Sequence, residues 1–259
     1  MADTMENLRS TERFSNRVDD YVRYRPDYPP ALLDWLRHAH GVDASWRVAD
    51  IGAGTGISSK MFLDAGHAVT AVEPNAAMRH AAETWLGSDP RFHAVDGRAD
   101  ATTLADHSVD LVSVAQAFHW FDPAATHREF HRILRPGGLA ALYWNSRRLT
   151  STPFLVGYEA LLQTYGTDYT SVAERYGDEP RMREWFGAGW KGTAQFDHCQ
   201  LLDFDALRGR LMSSSYAPKA DHPNHAPMIE TLHKLFDACQ VDGRISFDYD
   251  TRVYVGEVP

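Results

Sequence analysis

Alternate glycines after one apolar run, an acid after a second, and a histidine among aromatics are the features of this chain whose spacing suits chemistry. The run Val48-Ala49-Asp50-Ile51 opens into Gly52-Ala53-Gly54-Thr55-Gly56. Without a Cβ, glycine lets a backbone turn sharply and approach a bound molecule. A strand, such a turn and a helix N-terminus together make a nucleotide pocket at the carboxyl edge of a parallel sheet. The run Val69-Thr70-Ala71-Val72 ends in Glu73-Pro74-Asn75. A carboxylate there can accept both hydroxyls of an adenosine ribose, in charge-assisted bonds worth about 1.5–3 kcal/mol each. It can equally be an acid at the start of a helix whose first residue is Pro74. The segment Gln116-Ala117-Phe118-His119-Trp120-Phe121-Asp122 follows a third run. His119 suits proton transfer near neutrality, as base or orienting donor, or it is a hydrogen-bonded wall residue.

The glycine spacing selects among nucleotides. A dinucleotide fingerprint, G-x-G-x-x-G, needs glycine at 57, where this chain has Ile57. The third glycine comes one residue early, and the resulting G-x-G-x-G after an aspartate resembles motif I of class I S-adenosylmethionine-dependent methyltransferases. A tight turn without a ligand and NAD(P) binding are the alternatives at this motif.

The elements that must position these residues alternate. Strands are expected at 46–51, 68–72, 91–95, 109–114 and 138–145, with helices at 28–40, 57–65, 75–86, 101–106 and 124–134. This is the pattern of an α/β fold with a doubly wound, mainly parallel sheet and right-handed crossovers. After residue 150 the pattern turns to aromatic-rich helices, with strand-like runs near 194–203 and 245–256. The expected organisation is a cofactor-binding core with an N-terminal lid over 1–150, a mainly helical cap over 151–235 that includes one core strand, and a final strand within 236–259.

The chain has 259 residues, 44% hydrophobic, enough for one large core or a core plus a cap. A net charge of −9 argues against a nucleic-acid partner, which wants a basic footprint. Cys199 and Cys239 lack the spacing of a thiolate metal site or a disulfide framework. His38, His40, His222 and His225 lie in polar, punctuated segments, and no H-E-x-x-H pair occurs, so no metal is expected. The charged start, with Asp3, Glu6, Arg9, Glu12 and Arg13, has no signal-peptide core. With no 18-residue apolar run, no membrane span is expected either, and the reading is a cytoplasmic protein, monomer or homodimer.

Four motifs in order, D-I-G-A-G-T-G, V-E-P, A-Q-A-F-H-W-F-D and L-R-P-G-G, resemble the small-molecule methyltransferase family called type 11. They are most similar to its branch that includes trans-aconitate methyltransferases, as is the opening Arg13-Phe14 with Tyr21-Val22-Arg23-Tyr24-Arg25-Pro26-Asp27-Tyr28-Pro29. The match covers residues 13 to 145, and Ser213-Ser214-Ser215-Tyr216 more weakly. The resemblance implies a seven-stranded Rossmann-like sheet with an antiparallel C-terminal hairpin and a helical cap. It implies that Gly52, Gly54 and Gly56 cradle S-adenosylmethionine, that Asp50 orders the turn and the ligand's amino group, and that Glu73 and Pro74 flank the ribose. Ala99 and Asp100 would meet the adenine, although Arg98 stands where many relatives have the acid. Gln116 would face the methionine portion. Read from the residues themselves, Arg25 pairs with the ligand's carboxylate or is an exposed arginine, and Tyr21 and Trp120 contact a small-molecule acceptor, Trp120 being otherwise a core residue. An NAD(P)-dependent oxidoreductase is the rival enzyme, disfavoured by Ile57 and by the lack of a Tyr-x-x-x-Lys pair. A non-catalytic S-adenosylmethionine-binding module stays open, because methyl transfer obliges no catalytic residue.

Overall fold

The computed structural model describes residues 24–167, 169 and 178–259. Five strands, β1 (Arg47–Ile51), β2 (Ala68–Val72), β3 (Phe92–Val95), β4 (Val109–Ala115) and β5 (Leu134–Arg147), alternate with helices α1 (Pro30–His40), α2 (Ile57–Asp64), α3 (Ala76–Leu86) and α4 (Pro123–Ile133). Then come α5 (Pro153–Tyr165), α6 (Glu179–Phe186), β6 (Trp190–Leu202), α7 (Phe204–Met212), α8 (His225–Cys239) and β7 (Ile245–Gly256). The sheet order is β3-β2-β1-β4-β5-β7-β6. β1 to β5 are parallel, and β7 runs antiparallel to both β5 and β6. The last strand in sequence therefore enters the interior of the sheet, leaving β6 at the edge.

Local chemistry accounts for the element ends. Pro30 opens α1 and Gly41, at φ +72°, closes it, while Leu32, Leu33 and Leu36 form its buried stripe. Asn75 caps α3 by accepting from the backbone N–H groups of Ala77 and Met78. The helix accordingly starts at Ala76, and Pro74 precedes the cap instead of opening the helix. Residues 101–106 do not form the expected helix. Thr103 sits at φ +66°, and Thr102 gives both its N–H and its hydroxyl to Glu129. β5 begins at Leu134, directly after α4, because a register shift between Val109 and Leu111 of β4 absorbs the Pro-Gly-Gly turn.

The central strands are mainly apolar, as strands covered on both faces tend to be, with Asp50 and Ser113 as their buried polar exceptions. α1, α2 and α3 cover one face with Leu36, Phe62 and Leu86, and α4 and α6 cover the other with Phe130, Ile133 and Phe186. A third core joins α5, α7 and α8 to Ile245, Phe247 and Tyr249 at the start of β7, building the cap on the far end of that strand. Among the described residues, no helix is long and apolar enough to cross a membrane.

Gly56 shows how tightly the first turn is clasped. It lies at φ +91°, and a Cβ there would stand 2.7 Å from Leu86 Cδ1 and 3.3 Å from Ala82 Cβ, both on α3. Gly56→Ala should therefore lower the unfolding free energy by on the order of 2 kcal/mol, from left-handed strain plus overpacking. Urea unfolding measures it, and parent-like stability would mean that α3 does not press on this turn.

Candidate active site

The site begins where β1, β2 and β4 end at one edge of the sheet. Gly52, Gly54 and Gly56 adopt φ values of +68°, +58° and +91°, conformations that side chains disfavour. A Cβ on Gly52 would lie 2.8 Å from Ala117 Cβ and 3.2 Å from the Phe121 ring, so the loop after β4 crosses directly over the turn. Two buried carboxylates hold this geometry. Asp50 Oδ2 accepts from the hydroxyls of Ser58 (2.5 Å) and Ser59 (2.6 Å), and Oδ1 accepts from that of Ser113 (3.2 Å). These bonds tie the first turn of α2 to β1 and β4. Glu73 Oε2 accepts the Gly54 N–H and Oε1 the Asn75 N–H, each at 2.8 Å, linking the turns after β1 and β2. Burial raises the pKa of both carboxyls, against the opposing pull of their hydrogen bonds.

The end of β4 carries its own strained residue. Gln116 is left-handed at φ +58° without being glycine, a conformation retained mainly where surrounding contacts enforce it. Its N–H donates to the Tyr143 carbonyl at 2.9 Å, and its Nε2 to the Asn145 carbonyl at 3.3 Å. Asn145 Nδ2 donates to the Asp27 carbonyl at 2.8 Å, joining the described end of the N-terminal segment to the site. His119 and Trp120 follow on a short 3₁₀ turn, Phe118–Trp120. The Trp144 indole N–H, which can only donate, lies 3.5 Å from His119 Nδ1. In neutral His119 this long contact suits Nδ1 as the acceptor.

These parts surround a cavity of about 370 Å³, within the range of ligand pockets, whose other wall is the cap. Arg25 reaches across from the N-terminal side and donates to the Ser213 carbonyl at 2.9 Å. Arg147, at the end of β5, pairs with Glu159 of α5 and donates to the Tyr169 hydroxyl at 2.9 Å. Tyr169 in turn donates to Glu159 at 2.5 Å. Burial pushes the Glu159 carboxyl up, but Tyr169 and Arg147 overcome this and hold it below the usual range, so it is ionised at neutral pH. Arg210 enters from α7 beside Ser215 and Tyr216.

Of the residues singled out in the sequence, Gly52, Gly54, Glu73, Pro74, Gln116, Arg25, His119 and Trp120 line this one cavity. Asp50 and Gly56 lie behind it, so Asp50 orders the turn through hydroxyls without reaching the ligand space. Ala99 packs into the core beneath the sheet, and Asp100 is held by Arg98 at 2.9 and 3.2 Å, so neither lines the cavity. Tyr21 lies outside the described residues. His127 and His131 form an H-x-x-x-H pair on α4, but His131 Nδ1 contacts the Val258 carbonyl and the His127 ring packs edge-on against Trp185. Asn145, Glu159 and Arg210 also line the cavity, and their sequence motifs do not mark them. Arg210 left a signal: helical spacing from Leu207 and Leu211 puts position 210 on the buried face, where an arginine is out of place.

The cavity fits S-adenosylmethionine by its own chemistry. A side-chain-free turn allows close backbone approach, Glu73 stands beside it at the end of β2, and Met78 and Ile57 give apolar cover. A family model described as a methyltransferase domain matches residues 49–142. An uncharacterized methyltransferase-like protein of Schizosaccharomyces pombe is 33% identical over 248 residues, covering 94% of each chain. An uncharacterized methyltransferase of Mycobacterium tuberculosis is 44% identical over 134 residues, 52% of each chain, so against this relative the match spans about half its length. A solved structure named for a type II methyltransferase of Anaeromyxobacter dehalogenans is similar with a TM-score of 0.69 at 22% identity, covering 91% of this chain and 98% of that one. The sheet order, the glycine turn with its acid on β2, and a relative that matches nearly end to end all place this chain in the family of class I S-adenosylmethionine-dependent methyltransferases.

Proposed function

We propose that this protein is a cytoplasmic enzyme, monomer or homodimer, that methylates a small molecule held between the sheet edge and the cap, without a nucleic-acid partner. The carrying observation is that one cavity joins the glycine turn, Glu73 and Gln116 to a cap wall with its own polar residues. S-adenosylmethionine, when bound, supplies a methyl group activated on a sulfonium. Gly52 and Gly54 would give the backbone cradle, Glu73 would use its remaining lone pairs on the ribose, and Arg25 would meet the carboxylate. The chain's own task is to exclude water and hold the acceptor about 3 Å from the transferred carbon. Residues 1–150 would serve the cofactor, 151–235 the acceptor, and 236–259 would complete the sheet. The finer placement beside the trans-aconitate methyltransferases rests on the four motifs and the N-terminal resemblance. The oxidoreductase reading is weakened because Ile57 presents its side chain to the cavity where a dinucleotide site wants glycine. Turnover of S-adenosylmethionine to S-adenosylhomocysteine with cell extract as acceptor source tests enzyme against binding module: none with any extract would leave only a module.

Glu73 ties ligand affinity to the integrity of the turn. Glu73→Ala should weaken S-adenosylmethionine binding about 10- to 1,000-fold, through one or two lost charge-assisted bonds. Because the Gly54 and Asn75 N–H groups lose their acceptor, the variant should also unfold at lower urea, by about 1–3 kcal/mol. Calorimetric titration and urea unfolding read the two effects separately. A destabilised variant with parent affinity would remove Glu73 from the ribose.

His119 is proposed as an orienting donor, since Trp144 occupies the nitrogen that would need to carry its proton for Nε2 to act as a base. His119→Asn should then raise the acceptor KM and leave the acidic limb of the pH–rate profile in place. A general base would instead contribute about 10²–10⁴-fold to kcat. A fall of that size with loss of the acidic limb refutes the donor role.

A further inference from the structure

Arg210 is a buried cation with no carboxylate paired to it among the described residues. It is 7% exposed and lines the cap end of the cavity. Its Nε donates to the Tyr249 hydroxyl at 3.1 Å and its Nη1 to Ser214 Oγ at 3.2 Å, while the Phe247 and Tyr249 rings lie 5.5 and 5.9 Å from the guanidinium carbon. These partners fix its position and are all neutral. Among the described residues, no carboxylate forms an ion pair with it. A charge taken out of water is costly unless an opposite charge meets it, so the missing partner is expected from a ligand.

The other cations of the cavity have other engagements. Arg147 and the ionised Glu159 form a neutral pair that Tyr169 completes. Arg25 is assigned above to the cofactor carboxylate. With Arg25 given to the cofactor, Arg210 is the guanidinium left for the acceptor among the described residues of the cavity, in a wall that also presents Tyr28, Trp120, Phe121 and Tyr216. A phosphate monoester would bring a charge of about −1.5 to −2 to a site with one unpaired cation. A carboxylate brings one, matches the guanidinium fork and balances it.

Building on the methyltransferase reading of this cavity, we infer that the acceptor is a small, largely apolar or aromatic molecule bearing a single carboxylate, which Arg210 takes as its counter-ion. A polycarboxylate would leave further charges buried without partners.

The test uses the full chain loaded with S-adenosylhomocysteine, titrated calorimetrically with trans-cinnamate, benzoate and octanoate, their neutral amides, phenyl phosphate and trans-aconitate. At least one monocarboxylate should bind on the order of 10-fold or more tightly than its amide, and Arg210→Met should erase that difference while S-adenosylhomocysteine still binds. The same carboxylate should raise the melting temperature of the parent and not of the variant. Arg210→Gln, which keeps donors for Tyr249 and Ser214, replaces the Met variant if that one is not folded. The carboxylate–amide contrast on the parent decides the matter if neither folds. The assignment is overturned if no monocarboxylate outbinds its amide, if trans-aconitate or phenyl phosphate binds tightest, or if a folded Arg210 variant keeps the preference. Failure of S-adenosylhomocysteine itself to bind would instead overturn the methyltransferase reading.

Discussion

The bridge from Glu73 to the Gly54 and Asn75 N–H groups is the interaction on which the site depends. Two loops leave adjacent parallel strands, and past the Gly52 and Ala53 N–H bonds to the Val72 carbonyl no strand pairing holds them in relation to each other. One carboxylate, buried between them and bonded to a backbone N–H of each, sets that relation. The bridge requires a left-handed turn at Gly54, which aims its N–H at β2, and a cap at Asn75, which starts α3 immediately beyond. The same α3 then presses Ala82 and Leu86 against Gly56. Glycines, acid and cap residue therefore act as one unit, and changing one strains the others.

The two buried acids of this edge divide their labour by partner. Asp50 spends its oxygens on three hydroxyls and faces the inside of the fold. Glu73 meets backbone donors and lines the cavity, keeping lone pairs for a ligand. Both lose hydration, yet only one is placed to exchange its charge-assisted bonds with something that comes and goes. The acid within the first strand is thus scaffold, and the acid after the second is scaffold that also faces the cavity.

Much of this was legible in the sequence because it was local. The glycine spacing, the acid closing a β-branched run and the order of elements through β5 follow from side-chain preferences over a few residues. What escaped depended on distant partners. The helix expected at 101–106 was lost to Glu129, 27 residues away, which captures Thr102. That Asp100 is paired with Arg98 and stands outside the cavity lining was likewise not visible in sequence. Asn145 and Glu159 look ordinary in sequence, and only the pairing of β5 with β7 and the packing of α5 bring them to the cavity. Arg210 lies between these cases: its place on an apolar helical face is visible locally, but its neutral partners Tyr249 and Ser214 come from the fold.

Strand length explains how one fold joins a shared cofactor site to an individual acceptor site. β1 to β4 are four to seven residues long and end at the glycine-turn edge. β5, β6 and β7 run 14, 13 and 12 residues, so they extend past the helices that cover the central sheet. On these extensions stand Arg147 at the end of β5 and Phe247 and Tyr249 near the start of β7, and the cap helices pack against the same residues. The cap therefore has a core of its own, separate from the two cores that hold the glycine turn. Side chains on its inner face can change with little consequence for the turn, because no core residue is common to both. Arg210 is seated in this independent half by Tyr249 and Ser214, so on the proposed reading charge selection for the acceptor would belong to the cap and the cofactor chemistry to the sheet.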